Sequence, residues 1–202
     1  MLIVISSPHP VADEAQRINQ LFEAGMQRFH LRKPESPIDK LRLLLQGIKP
    51  AYRSHIALHQ HHSLAVEWGL HHLHFNETTR RRTGEEIWQQ LVNAGCRIST
   101  SIHSLKEYPA LSPLFSYALI GPVFNSISKA GYNAANLLNG LPAIKQQHVP
   151  LIAIGGITST NCTAPLQAGC KGVAVLGAIW QSPDPLQTFN NLKTSLSLNA
   201  VI

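Results

Sequence analysis

Short runs rich in β-branched residues recur along this chain about every 24 residues, each followed by a stretch with apolar positions at helical spacing. The runs are residues 2–6, 28–32, 55–59, 72–75, 97–102, 117–124, 150–154 and 172–176, and the clearest helical stretches are 12–24, 40–48, 84–91 and 161–168. Strands that alternate with helix-length returns pair in parallel, because only a long crossover brings the chain back to the same sheet end. Eight such units in one domain, residues 1–202, predict an α/β fold: a single (β/α)8 TIM barrel with parallel strands and short loops. An open doubly wound sheet is the alternative.

Apolar residues make up 44% of the chain and charged residues 14%, a balance that excludes disorder. No apolar run approaches bilayer length. Met1 runs straight into an apolar strand with neither a basic segment nor a small-residue cleavage site, so a cytoplasmic protein without a secretory signal is expected. The three cysteines Cys96, Cys162 and Cys170 form no CxxC pair and read as reduced, buried thiols. The net charge of +6 favours an anionic partner. Apart from Arg80, Arg81 and Arg82, the basic residues are scattered without interleaved aromatics, so a small phosphorylated molecule is expected and nucleic acid is not.

In such a barrel the chemistry gathers where strands pass into loops. The first strand ends in Ser6 and Ser7, which carry little signal; the second ends in Arg32 and Lys33. Strand alternation puts Arg32 on the face of His30 and leaves Leu31 on the other. Next come His59, His74, and then Ser101 with His103, whose imidazole suits proton transfer near neutral pH. The loop after strand six carries two hydroxyls and a cation, Ser126, Ser128 and Lys129, flanked by Gly121 and Gly131. The last two turns hold Gly155 with Gly156, then Gly177 with Ala178, where backbone amides can approach a phosphate unobstructed by Cβ atoms. A helix starting near Thr158 or Ser159 would add positive potential there.

Seven of the eleven histidines lie between His55 and His74. They show no HExxH spacing and no cysteine partners, so no metal centre is expected; most read as surface or loop residues, although His59 and His74 can converge at adjacent strand ends.

Taken in order, Leu31-Arg32, Leu73-His74, Ser101-Ile-His103, Gly121-Pro-Val-Phe124, Ser126-Ile-Ser-Lys129, Ala153-Ile-Gly-Gly-Ile157 and Gly172-Val-Ala-Val175 resemble the thiamine-phosphate synthase and thiazole tautomerase family across nearly the whole chain. The resemblance implies a (β/α)8 barrel acting on a small phosphorylated heterocycle, and it allows a homodimer. The synthases join a pyrimidine diphosphate to a thiazole phosphate with magnesium. Their Gln-Leu-Arg-x-Lys run reads His30-Leu-Arg-Lys-Pro34 here, and their two magnesium-binding aspartates fall at Gln60 and near Thr79. Without those carboxylates Mg²⁺ is poorly served. The expectation is therefore a metal-independent thiazole tautomerase with no cofactor and His103 as acid/base, in a run reading Ser101-Ile-His-Ser-Leu-Lys-Glu107. By the same analogy Gly155, Gly156, Gly177 and Ala178 hold the phosphate, Ser126, Ser128 and Lys129 lie near a carboxylate, and Arg32 holds that carboxylate. A magnesium-dependent synthase is the alternative, and a non-catalytic binder of thiazole phosphate is a third reading.

Overall fold

The computed structural model describes residues 1–124, 135–144 and 148–198. Strands β1 (Leu2–Ile5), β2 (Arg28–Leu31), β3 (Ile56–Leu58), β4 (His72–Phe75), β5 (Arg97–Ile102), β6 (Phe115–Ile120), β7 (Leu151–Ile154) and β8 (Gly172–Val175) pair in chain order into a closed barrel. Every pairing is parallel, including the β1–β8 contact that closes the ring. Around it run α1 (Glu14–Glu23), α2 (Ile38–Gly47), α3 (Leu64–Trp68), α4 (Glu77–Arg82), α5 (Glu85–Asn93), α6 (Ala135–Gly140), α7 (Ala164–Gln167), α8 (Gly177–Trp180) and α9 (Pro185–Leu198), with 3-10 turns before β3, after β5 and after α6. The single (β/α)8 barrel read from the strand period is the observed fold. None of these helices is long and apolar enough to cross a membrane.

Two cores divide the apolar side chains. Outward-facing strand residues such as Val4, Phe29, Leu31, Leu73 and Val173 pack with Ile18, Leu21, Leu41, Leu45 and Phe189 of the helices. In α1 the buried positions Ile18, Leu21 and Phe22 lie three and four apart, which makes one face of the helix a barrel cover. Inside the barrel, Ile3, Ile5, Tyr117, Leu119, Ile152 and Ala174 form a separate cluster. The rest of the lumen is polar: His30, His59, His72, His74 and Ser99 are buried on β2 to β5 or just beyond them. An apolar half on β1, β6, β7 and β8 thus faces a polar half.

Strand six departs from its predicted bounds, starting at Phe115 and stopping at Ile120 rather than running over 117–124. The strand stops at Gly121 and Pro122, beyond which the Val123 and Phe124 amides still donate to the Ile154 and Gly155 carbonyls. A Cβ on Gly121 would lie 2.1 Å from the Ile154 carbonyl oxygen of β7, and Pro122 has no amide proton to continue the ladder. Gly121→Ala is expected to cost about 3 kcal/mol, because the obstacle is backbone and cannot turn aside. Chemical denaturation of the variant measures it; a change below about 1 kcal/mol would refute the tight β6–β7 contact.

Candidate active site

The polar half of the lumen opens at the carboxyl ends of β2 to β5. Arg32 follows β2 with an exposed side chain. Its backbone is pinned by Ser6, whose hydroxyl donates to the Arg32 carbonyl at 2.9 Å and accepts from the Arg32 amide at 2.8 Å. Ser6 is fully buried, so the bonds work in the absence of water competition. The end of β1, which carried little signal in sequence, is therefore the anchor of the rim arginine.

Lys33 does not join this rim. Its ammonium donates to Glu14 Oε2 at 2.7 Å and to the His9 carbonyl at 2.8 Å, and the Lys33 and Glu14 side chains are 5% and 7% exposed. The expectation that Lys33 binds substrate is corrected: strand alternation turns it outward, opposite to Arg32.

The histidines depart furthest from the sequence reading. His72 is not a surface residue but is buried in the lumen with His30, and His74 lies buried there too, meeting His59 as their adjacent strand ends suggested. His30 Nδ1 and His59 Nε2 share a hydrogen bond of 2.8 Å, and His30 Nε2 meets the Tyr117 hydroxyl at 2.5 Å. The His59 and His74 rings stack with centroids 4.0 Å apart. His74 is bonded through Nδ1 to Ser99 Oγ at 2.9 Å and through Nε2 to Ser101 Oγ at 2.8 Å. His72 Nε2 reaches the same Ser99 hydroxyl at 3.0 Å. Burial, then the Arg28 charge, lowers His72 to about 2; burial, then His62 and Arg32, lowers His74 to about 3. Burial first and neighbouring histidines second also hold His30 and His59 well below the ordinary imidazole range. The lumen imidazoles are therefore neutral at pH 7.

His30, His72, Ser99 and Tyr117 were not singled out as site residues by sequence. The signal was present: in Arg28-Phe-His-Leu-Arg32 and His72-Leu-His-Phe75 polar and apolar residues alternate strictly, which marks the polar ones as one strand face.

His103 sits just beyond β5 with its side chain half-exposed. Its Nδ1 donates to the Gly121 carbonyl at 2.9 Å. Because a carbonyl only accepts, this bond fixes the neutral tautomer and leaves Nε2 as the proton acceptor, 3.9 Å from Glu77 Oε2. Glu107 holds the His103 turn by accepting from the His103 and Ser104 amides, and Arg80 holds Glu107 at 2.7 Å.

Across the mouth lie the two glycine turns. Gly155 and Gly156 adopt positive φ of 102° and 64°, and a Cβ on Gly155 would meet Pro122 at 2.6 Å. Gly155 is thus required by packing against the β6 turn as well as by conformation. The expected helix start near Thr158 is corrected: the chain turns through 158–163 and α7 begins at Ala164. Asn161 closes that turn, accepting from the Thr158 amide and donating to the Gly156 carbonyl. Gly177 opens α8, where the Ile179 and Trp180 amides both donate to the Leu176 carbonyl and the Gly177 and Ala178 amides come before any helical acceptor. Trp180 of α8 donates from Nε1 to the Ile5 carbonyl at 2.6 Å, tying this turn to β1. Ser126, Ser128 and Lys129 lie outside the described residues.

Magnesium is poorly matched by the groups at its two expected positions. Thr79 is occupied as part of the α4 N-terminus, bonding to Asn76 through its amide and hydroxyl. Gln60 brings an amide rather than a carboxylate, beside the imidazole of His59. The nearby Glu77 is paired with Arg81. Mg²⁺ calls for hard oxygen ligands including carboxylates, and this set does not fit it.

The fold and rim define a (β/α)8 barrel with a polar, arginine-bearing mouth faced by glycine turns after its last two strands. A sequence model of the family described as thiamine monophosphate synthase matches residues 1–179, and the chain belongs to that family. It is 28% identical over 189 residues to a thiamine-phosphate synthase of Listeria monocytogenes serotype 4b (strain F2365), covering 87% of this chain and 86% of the relative. To the thiamine-phosphate synthase of L. monocytogenes serovar 1/2a it is 30% identical over 162 residues, covering 76% and 72%. Among solved structures, a thiamine phosphate pyrophosphorylase of Bacteroides thetaiotaomicron superposes with a TM-score of 0.76 at 27% identity, covering 98% of each chain.

Proposed function

We propose that this chain acts in thiamine biosynthesis on a thiazole phosphate, condensing it with a pyrimidine activated as its diphosphate. The observation that carries this reading is likeness to thiamine-phosphate synthases over almost the full length of both chains. In the condensation the thiazole nitrogen forms a C–N bond to the pyrimidine methylene carbon, and the C–O bond to diphosphate breaks, the leaving group taking the electron pair. Arg32, fixed by Ser6, offers a planar fork to phosphoryl oxygens. The amides near Gly156, Gly177 and Ala178 suit the phosphate of the thiazole. His59 and His74 line the polar side of the mouth, where they offer imidazole edges to the polar groups of a heterocycle.

One observation favours a second reading, proton transfer on a thiazole carboxylate phosphate. His103 has its tautomer fixed by Gly121 and its Nε2 available, as a general base requires, and such a reaction needs no carboxylate-held magnesium. A single experiment separates the two. Purified protein is given both partners with and without Mg²⁺, with thiamine phosphate and diphosphate followed in one sample and the proton NMR of the carboxylated thiazole in another. The condensation reading expects thiamine phosphate to form, Arg32→Ala to lower kcat/KM about 100-fold, and His103→Ala to change it less than about 10-fold. If only the aromatic tautomer appears, and His103→Ala slows that conversion by about 10²–10⁴-fold, the tautomerase is the correct assignment.

A further inference from the structure

We propose that His30, His59 and His74 form a binding site for a divalent transition-metal ion of the zinc type, set in the floor of the barrel mouth. One ring nitrogen from each of the three lies within 4.8 Å of those of the other two. The residues come from β2, the end of β3 and β4, three adjacent parallel strands whose register brings the imidazoles to one place. The barrel wall fixes the three backbones, and the His59 and His74 rings, stacked with centroids 4.0 Å apart, would turn to aim their nitrogens at one ion.

The chemistry of the donors selects the ion. Three imidazoles without a carboxylate suit zinc, cobalt(II) or nickel rather than magnesium or calcium, and three histidines with an open fourth position are the pattern of zinc sites that bind water or substrate. The supporting shell is also present. The Tyr117 hydroxyl stands at His30 Nε2 and the Ser99 hydroxyl at His74 Nδ1, which leaves His30 Nδ1, His59 Nε2 and, once released by Ser101, His74 Nε2 to take an ion. Such partners fix ring orientation and tautomer at metal sites. His59 Nε2 and His30 Nδ1 now share one proton at 2.8 Å; an ion would displace that proton and spread the nitrogens slightly, while Ser101 Oγ would turn away from His74 Nε2. Arg32 stands exposed at the rim above, so an anion at the fourth position would be held by the ion and by a guanidinium.

The site is tested by titrating metal-free protein with Co²⁺ and following the visible ligand-field bands, with bound metal counted after gel filtration. One equivalent with the intense bands of a four-coordinate ion is expected, competed away by Zn²⁺. His59→Gln, at a strand end where a polar side chain is tolerated, should weaken binding more than 100-fold, and Tyr117→Phe, which keeps all three ligands, about 10–100-fold. His55→Ala with His71→Ala, both exposed, should leave binding unchanged. Circular dichroism melts confirm that each variant is folded. Absence of stoichiometric Co²⁺ binding by the folded wild type, or binding unaffected by His59→Gln and lost in the exposed double variant, would overturn the proposal. Neither readout uses turnover, so the result stands apart from the assignment of the reaction.

Discussion

Acidifying metal-free protein from pH 7.5 to about 5 is expected to remove a large share of its stability. Four lumen histidines, His30, His59, His72 and His74, are held neutral by burial, with His72 lowered to about 2 and His74 to about 3. Charges facing them reinforce this: Arg28 and Arg97 near His72, Arg32 near His59 and His74. Above pH 6.5 neither the folded nor the unfolded chain protonates these rings, and they contribute nothing to pH dependence. Below it the unfolded chain takes up protons that the folded one refuses, so stability falls as pH falls. The loss is about 2 kcal/mol at pH 5 for each of His72 and His74, or roughly 4 kcal/mol together, and His30 and His59 act in the same direction. That is a large share of the stability of many domains, about 5–15 kcal/mol. Thermal melts in EDTA across this range should show Tm falling by about 10 °C or more. A Tm steady to within a few degrees would mean that the cluster accepts a proton in the folded state.

The second large effect concerns the ion pair that took Lys33 from the site. Glu14→Ala is expected to destabilise by about 3–5 kcal/mol, because it leaves the Lys33 ammonium buried with only the His9 carbonyl as partner. The pair itself is no great source of stability. Burial pushes the Glu14 carboxyl up even though Lys33 pulls it down, and its Oε1 has no hydrogen-bond partner. Replacing both residues, Glu14→Leu with Lys33→Met, should therefore come out within about 1 kcal/mol of the wild type. Urea denaturation of the single and double variants decides it. A single variant as stable as the wild type would show that water reaches Lys33 freely.

Much of this was legible in the chain. The strand period specified a closed parallel barrel, and the strand ends put Arg32, His103 and the glycine turns at one rim of it. The central cluster was harder to see. His30 and His72 lie inside their strands rather than at the ends, and Tyr117 comes from β6, across the lumen from β2. Their convergence depends on closure and register, which local spacing does not encode; metal motifs with fixed spacing describe helices and loops, not three neighbouring strands. Lys33 was misplaced for the opposite reason. Adjacency to Arg32 in sequence puts two side chains on opposite faces of a strand, so nearness along the chain meant separation in space.

The division of the lumen bears on how a ligand would arrive. A flat ring settling across the mouth meets imidazoles and hydroxyls with one edge and the hydrocarbon of Ile154 and Leu176, the partly exposed members of the apolar half, with the other. The two edges are wetted differently, as at the boundary between water and oil. A heterocycle with one polar and one greasy edge would thus be turned to a single orientation by the barrel wall itself, before any side chain at the rim had closed a specific bond.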